Sequence, residues 1–226
     1  MAIQLIGNGG TVADVGASFR ELFTSSRPVS YGALGHYRIQ VVTGTLAAAL
    51  AAGAQVFQFK WTDATRFALI LKLKTRFLPL TAFTAATLTD HTSFDAFIAR
   101  SYAGGGGGTT LGLTVNNQKM RTSMGTSLAA INVSTTAALT AATTLDAQPF
   151  AQSIRKGNRA NPSAGNEEVI MPTTDGMEMD FDMASGDHPI TLAQNEGVVI
   201  RNRTVWPAAG TGILSIMCGW VEVTSF

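Results

Sequence analysis

Short runs in which apolar and polar residues alternate recur along this chain, and they constrain its fold more than any other feature. The clearest run is Gly176 to Met183, where four apolar side chains alternate with Glu178, Asp180 and Asp182. A period of two places successive side chains on opposite faces of a β-strand. Further strand-like runs are His36–Val42, Gln55–Trp61, Phe67–Phe77, Val198–Arg201 and Ile213–Val223. The sequence therefore predicts an all-β protein.

The spacing of these runs, with Gly and Pro clusters between them, is typical of an antiparallel two-sheet β-sandwich with jelly-roll-like topology. All-β domains of this size commonly form one unit, so we predict a single domain over residues 1–226. Within it, segment 104–168 is rich in Gly, Ala, Thr, Ser and Asn and predicts long loops or an extended arm. Two strands are predicted inside this segment, at Ala129–Ser134 and Phe150–Arg155.

One short helix is predicted at 92–102, because Phe94, Phe97 and Ile98 fall at helical spacing and Gly104 follows the end. The five glycines at 104–108 predict a flexible tip before a strand at Leu111–Asn116. The strand at Phe67–Phe77 is predicted to place four apolar residues on one face, namely Phe67, Leu69, Leu71 and Leu73.

The charge content is low: 14% of the residues are charged, against about 25% in an average soluble domain. This favours a protein whose surface is partly covered by copies of itself or by a partner. The net charge of +1 gives no electrostatic footprint for nucleic acid or an anionic membrane. The stretch between Arg38 and Lys60 carries no charge, but its Gln, Thr and Gly residues make it too weakly apolar to predict a membrane span.

The residues that usually carry chemistry form no catalytic or metal-binding motif in this sequence. His36, His91 and His188 lie far apart, and the glycine run lacks the Lys and Ser/Thr of a phosphate loop. The acids Glu178, Asp180 and Asp182 fit either a solvated strand face or a cation site. We therefore predict neither an enzyme nor a bound cofactor. The single cysteine, Cys218, lies in an apolar run and is expected to be buried.

Two blocks of the sequence carry a family resemblance. They contain GHYRIQVVTGTLAAALAAGAQVFQFKWTD, and HPITLAQNEGVVIRN followed by GTGILSIMCGWVEV. They resemble structural proteins of tailed bacteriophages, of the small β-rich kind called head decoration or cement proteins. The resemblance covers about half of the chain, near 1–75 and 168–226, and leaves segment 104–168 unmatched.

The resemblance implies a β-sandwich that binds the major capsid protein on the outside of the shell, commonly as a trimer. Such a protein is made in the host cytoplasm and ends up on the capsid surface of the virion. The alternatives are a tail or fibre component, a capsid-lattice subunit, or a carbohydrate-binding or cupin-like module on the same fold. From composition and expected exposure, the predicted partner-contact residues are Gly104, Gly106, Gly108, Phe150, Arg155, Arg159 and Trp206.

Overall fold

The computed structural model describes residues 35–81, 83, 91–116, 118–120, 122–156, 176–181 and 188–224, all within one compact unit, Tyr31–Phe226. The first strands are β1 His36–Val42, β2 Gln55–Trp61, β3 Phe67–Thr81, β4 His91–Gly106 and β5 Thr109–Thr110, followed by the one-turn helix α1 Leu113–Asn116. Next come β6 Gln118–Lys119, β7 Ala129–Val133, β8 Thr140–Leu145 and β9 Ala151–Lys156. The last are β10 Glu178–Asp180, β11 Ile190–Leu192, β12 Gly197–Asn202 and β13 Thr211–Val223.

These strands form two antiparallel sheets, as the sequence predicts. A six-stranded sheet has the order β10-β3-β13-β1-β6, with β11 also paired to β3. A seven-stranded sheet has the order β5-β7-β2-β12-β4-β8, with β9 also paired to β4. β8 and β9 pair with successive parts of β4, and β10 and β11 pair with successive parts of one edge of β3, so each pair counts as one principal strand. Leaving out β5, β6 and β7, which extend the sheets beyond β2 and β1, eight principal strands remain. Numbered along the chain, they have jelly-roll order: 1-8-3-6 in one sheet and 2-7-4-5 in the other.

The sheets enclose one main hydrophobic core. Trp220 of β13 stacks on Tyr37 of the same sheet at 5.6 Å and meets the edge of Phe59, from the other sheet, at 5.2 Å between ring centroids. Trp61 is fully buried in the same core. Aromatic contacts across the two sheets contribute beyond their buried area, so these rings fix how the sheets pack.

The predicted helix at 92–102 is wrong, because these residues belong to strand β4. Phe94 and Ala96 face the core between the sheets, while Phe97 and Ala99 are buried on the opposite face. A strand that is buried on both faces loses its apolar–polar alternation. Its apolar residues then match helical spacing by coincidence.

Segment 104–168 contributes strands to the seven-stranded sheet over its described part, which ends at residue 156. The strands predicted at Ala129–Ser134 and Phe150–Arg155 are confirmed as β7 and β9, and β8 is an additional one. The expected flexible tip is instead partly strand, because Gly104–Gly106 end β4 and pair with β8. The strand expected at Leu111–Asn116 is replaced by α1. Residues 157–168 lie outside the described part.

The prediction that Phe67, Leu69, Leu71 and Leu73 share one face is wrong. Leu73 lies in the main core, whereas Leu69 packs in a separate cluster with Val221 and Val223. The register between β3 and β13 shifts between Gly219 and Trp220, which lie opposite Lys72 and Ile70. A bulge of this kind leaves one residue unpaired and moves the later side chains to the opposite face.

Two simpler expectations concern Cys218 and membrane spans. Cys218 is fully buried in the core, as predicted, and burial raises the pKa of its thiol to about 12. The helix in the described part of the chain, α1, has four residues, so no helix there is long enough to cross a membrane.

Candidate interaction surface

One end of the sandwich carries no charged residue in any of four segments that meet there. We call this surface the uncharged end. Its segments are Val42–Ala54, Phe77–Thr81 with Phe83, Ser134–Leu139 and Thr204–Ile213. They contain 35 residues, where the chain average of 14% would place about five charges. The polar side chains in these segments are hydroxyls alone, from threonine and from Ser134.

Backbone hydrogen bonds join these segments. The Ala49 amide donates to the Pro207 carbonyl at 2.8 Å, and the Trp206 amide donates to the Leu50 carbonyl at 2.9 Å. Leu46 forms an isolated β-bridge with Gly212. On the other side, the Ala47 amide donates to the Thr136 carbonyl at 3.1 Å. The four segments therefore form one continuous surface.

Gly44 allows the closest approach at this end. Its amide donates to the Ser134 carbonyl at 3.0 Å. A Cβ atom at position 44 would lie 1.9 Å from the carbonyl oxygen of Thr135, a distance that no side chain tolerates. A residue without Cβ is therefore required where the β1–β2 and β7–β8 loops touch.

The ring of Trp206 holds the β12–β13 loop in place by packing into the core beneath it. Its ring lies 5.5 Å from Phe77, 5.1 Å from Phe83 and 6.1 Å from Phe94, all edge-on. Trp206 is among the residues predicted to contact a partner, but its side chain is buried. Its neighbour Val205 is exposed instead. Trp206 therefore positions the surface without being part of it.

Asn202, the last residue of β12, fixes the same loops through its side chain. Its buried Nδ2 donates to the carbonyl oxygens of Leu50 at 3.2 Å and Ala51 at 3.1 Å, and also to that of Thr204. One amide thus holds the β1–β2 and β12–β13 loops together without a charge. The amide is satisfied at Nδ2 only, because its buried Oδ1 has no hydrogen-bond partner among the described residues.

Four large apolar side chains are about half exposed on or beside this surface. Their exposed fractions are 51% for Val42, 55% for Leu78, 49% for Leu80 and 62% for Val205. Leu78 lies directly opposite Ile213 on the neighbouring strand, so the patch crosses from β3 to β13. An exposed apolar patch on a preformed surface indicates an interaction site.

The border of the uncharged end is basic. Arg76 is exposed on β3. Arg203 is partly exposed, and its Nε lies 3.6 Å from Oδ2 of the buried Asp95. Burial raises the pKa of Asp95, while Arg203 and Arg201 act in the opposite direction. Arg201 is itself held 4.0 Å above the ring of Phe97.

The opposite end of the sandwich is built from charges, and we call it the charged end. It contains Asp63, Arg66, Arg100, Asp146, Glu196 and Glu222. Arg100 makes two hydrogen bonds of 2.9 Å with the Asp146 carboxylate, and its Nη1 lies 3.7 Å from Glu196. Bonds from the Thr65 amide and hydroxyl lower the pKa of Asp63.

Glu222 is the buried acid of the charged end. Its carboxylate accepts a hydrogen bond from the Leu128 amide at 3.1 Å and lies 3.7 Å from Arg66. The side chain is fully buried, and burial raises the pKa of this carboxyl against the opposing hydrogen bonds and Arg66. Glu222 therefore ties the segment before β7 to β13.

The residues predicted to contact a partner are scattered. Gly104 and Gly106 belong to β4 and pair with β8. A Cβ atom at Gly108 would clash with the Val133 carbonyl and the Leu139 side chain. Phe150 is partly buried against the core. Arg155 lies on β9 beside β4, and Arg159 lies outside the described residues. The described members of this set therefore lie on several different elements.

The acidic strand face predicted around residue 180 is partly described. Glu178 and Asp180 are exposed on β10 and form ion pairs with Lys74 and Lys72 of β3. Asp182 lies outside the described residues. Within the described ranges, no group of three or more His, Cys, Asp or Glu side chains is arranged to hold a metal ion.

Comparisons with known proteins add no relative: the chain matches no family model, no curated protein and no solved structure.

The exposed residues Val42, Leu78, Leu80 and Val205 are absent from the predicted contact set. Two long uncharged runs in the sequence, 39–59 and 204–221, were the available signal. Each run contains a loop that crosses from one sheet to the other at the same end of the sandwich, from β1 to β2 and from β12 to β13. Neither run alone shows that the two loops meet, because that depends on the sheet order.

Proposed function

We propose that this chain is a structural virion protein of a tailed bacteriophage. It binds the exterior of the capsid as an oligomer, expected to be a trimer, and bridges neighbouring capsid subunits. The observation that carries the proposed assembly is the uncharged end, and the resemblance to decoration proteins supports the capsid as the partner. A surface without charge that exposes Val42, Leu78, Leu80 and Val205 suits lasting burial in an assembly.

Two further features support the proposal. The jelly-roll order of strands provides a rigid platform, on which loops at one end are held by backbone bonds and by Trp206. The sequence blocks around 35–63 and 188–223 resemble decoration proteins of phage heads. The mechanism is mechanical: binding only the assembled shell stabilises that shell by mass action.

The test is cosedimentation of the purified full chain with decoration-free shells of the phage that encodes it. We expect saturable pelleting and a higher temperature of shell disruption once the sites are filled. Shells of an unrelated phage serve as the control and should not retain the chain. If the folded chain stays in the supernatant with its own shells, the capsid-binding function is wrong.

The same preparation separates the rival functions. Stacked rings or tubes of the purified chain would identify a tail component. Saturable binding on a glycan panel without shell binding would identify a carbohydrate-binding module.

A further inference from the structure

We infer that the uncharged end is the surface through which copies of this chain bind one another, so that the capsid is bound through another part of the protein. The inference rests on the oligomeric part of the proposed function and does not need the capsid. It assigns a specific occupant, a second copy of the chain, to the surface defined above.

The first argument is charge symmetry. In a closed symmetric oligomer, residues near the axis meet their own copies or those of their immediate neighbours. A charged side chain placed there faces a like charge, which costs free energy once water is excluded. None of the 35 residues of the uncharged end carries a charge, so this repulsion is absent.

The second argument is hydrogen-bonding symmetry. The polar side chains of this surface are hydroxyls, including Thr45, Thr81 and Thr211. A hydroxyl both donates and accepts a hydrogen bond, so it pairs with a copy of itself. Thr81 and Thr211 already form such a pair within one chain, with 2.9 Å between their Oγ1 atoms. A carboxylate or an ammonium group could not pair with its own copy in this way.

The third argument is size. Of the residues in the four segments, 24 are at least partly exposed. A stable interface uses about 20–30 residues on each side. The half-exposed Val42, Leu78, Leu80 and Val205 add exposed apolar area of the kind that lasting homomeric interfaces bury. One surface therefore suffices for a stable contact between copies.

The basic border distinguishes a second copy from another partner. A different protein that bound here by charge complementarity would present acids to Arg76 and Arg203, and salt would weaken its binding. A second copy keeps these basic groups at the periphery, where salt screens their mutual repulsion. Self-association through the uncharged end is therefore expected to hold or strengthen as salt is raised.

The experiment is sedimentation equilibrium of the full chain over a range of concentrations, at low and high salt. The test variant is Leu78→Asp with Val205→Asp, and the matched control is Met120→Asp. Met120 is a large apolar residue, 49% exposed, whose amide bonds the His36 carbonyl near the charged end. We expect the test variant to weaken association at least about 100-fold, because buried like charges oppose one another, and the control to leave it unchanged.

Near-ultraviolet circular dichroism checks that each variant is folded. If the test variant unfolds, Ala47→Asp with Ala208→Asp replaces it, because both alanines are exposed in loops of the same surface. A monomeric wild-type chain at every concentration would overturn the inference. So would an unchanged mass for the folded test variant, equal dissociation by the control, or dissociation by salt. A monomer that still pellets with shells would end this inference and leave the capsid function standing.

Discussion

The two ends of this sandwich are closed by opposite kinds of contact. At the uncharged end, backbone bonds such as Ala49 to Pro207 and the packing around Trp206 hold the loops. At the charged end, ion pairs such as Arg100 with Asp146 and Arg66 with Glu222 do so. Where backbone bonds and core packing hold the loops, the outer surface carries no charge that must stay hydrated, so a partner can cover it. Where ion pairs hold the loops, the charged side chains remain in contact with water.

The largest effect on stability is expected at Trp206, whose ring holds the loops of the uncharged end. Trp206→Ala removes a ring that touches Phe77, Phe83 and Phe94, and we expect the free energy of unfolding to fall by about 4 kcal/mol. Urea unfolding followed by circular dichroism measures the change. A loss below about 1 kcal/mol would mean that the loop does not depend on this ring.

The control compares the buried tryptophans of the two ends. Trp61 Nε1 donates to the Arg66 carbonyl at 2.7 Å, whereas the buried Nε1 of Trp206 has no hydrogen-bond partner in the described part of the chain. Trp61→Phe therefore loses a hydrogen bond that Trp206→Phe does not, and should cost about 1 kcal/mol more. Equal costs would contradict the idea that the two ends are held differently.

A second, smaller effect is expected at Gly44. The added Cβ of Gly44→Ala meets the Thr135 carbonyl oxygen, so the β1–β2 and β7–β8 loops must separate. We expect a loss of about 2 kcal/mol in the free energy of unfolding, measured by thermal or urea unfolding. Gly125→Ala is the matched control, because a Cβ at position 125 meets no atom within 4 Å and should change stability little. Similar losses in both variants would rule out the close approach as the cause.

The smallest effect concerns pH at the charged end. Because burial raises the folded-state pKa of Glu222 above its ordinary value of 4.5, the folded chain binds this proton more tightly than the unfolded chain. Glu222 therefore lowers stability as pH rises from about 4.5 through the raised pKa. Glu222→Gln should flatten that part of the profile of unfolding free energy against pH, measured in urea. A profile as steep as that of the wild type would assign the dependence to another group, with Asp95 the next to test.

The all-β class and the jelly-roll order could be predicted because most strands keep an apolar–polar alternation. β1 buries one face, and β2 still alternates polar with apolar residues although both of its faces are buried. β4 also buries both faces, with Phe94 and Phe97, but its apolar residues show no such alternation and a helix is predicted instead. The side-chain faces of β3 could not be assigned either. The bulge opposite Gly219 arises from pairing with a strand more than a hundred residues away.

The interaction surface was less accessible to sequence reasoning than the fold. Leu78 and Leu80 alternate with the inward-facing Phe77, so both would be assigned to the other face of a strand. Whether that face is covered depends on the sheet that lies behind it. Trp206 is predicted to contact a partner because exposed tryptophans mark interfaces. Its burial depends on Phe83 and Phe94, which come from distant segments of the chain.

The burial of Cys218 has a practical consequence for following this protein. As the single thiol of the chain, sealed in the core with a pKa raised to about 12, it is hidden from alkylating reagents until the sheets part. The rate at which a reagent modifies Cys218 therefore reports global opening of the fold. A fluorophore attached through a cysteine engineered at an exposed site would then label that site alone in the native protein, so subunit exchange could be followed by energy transfer without removing the natural thiol.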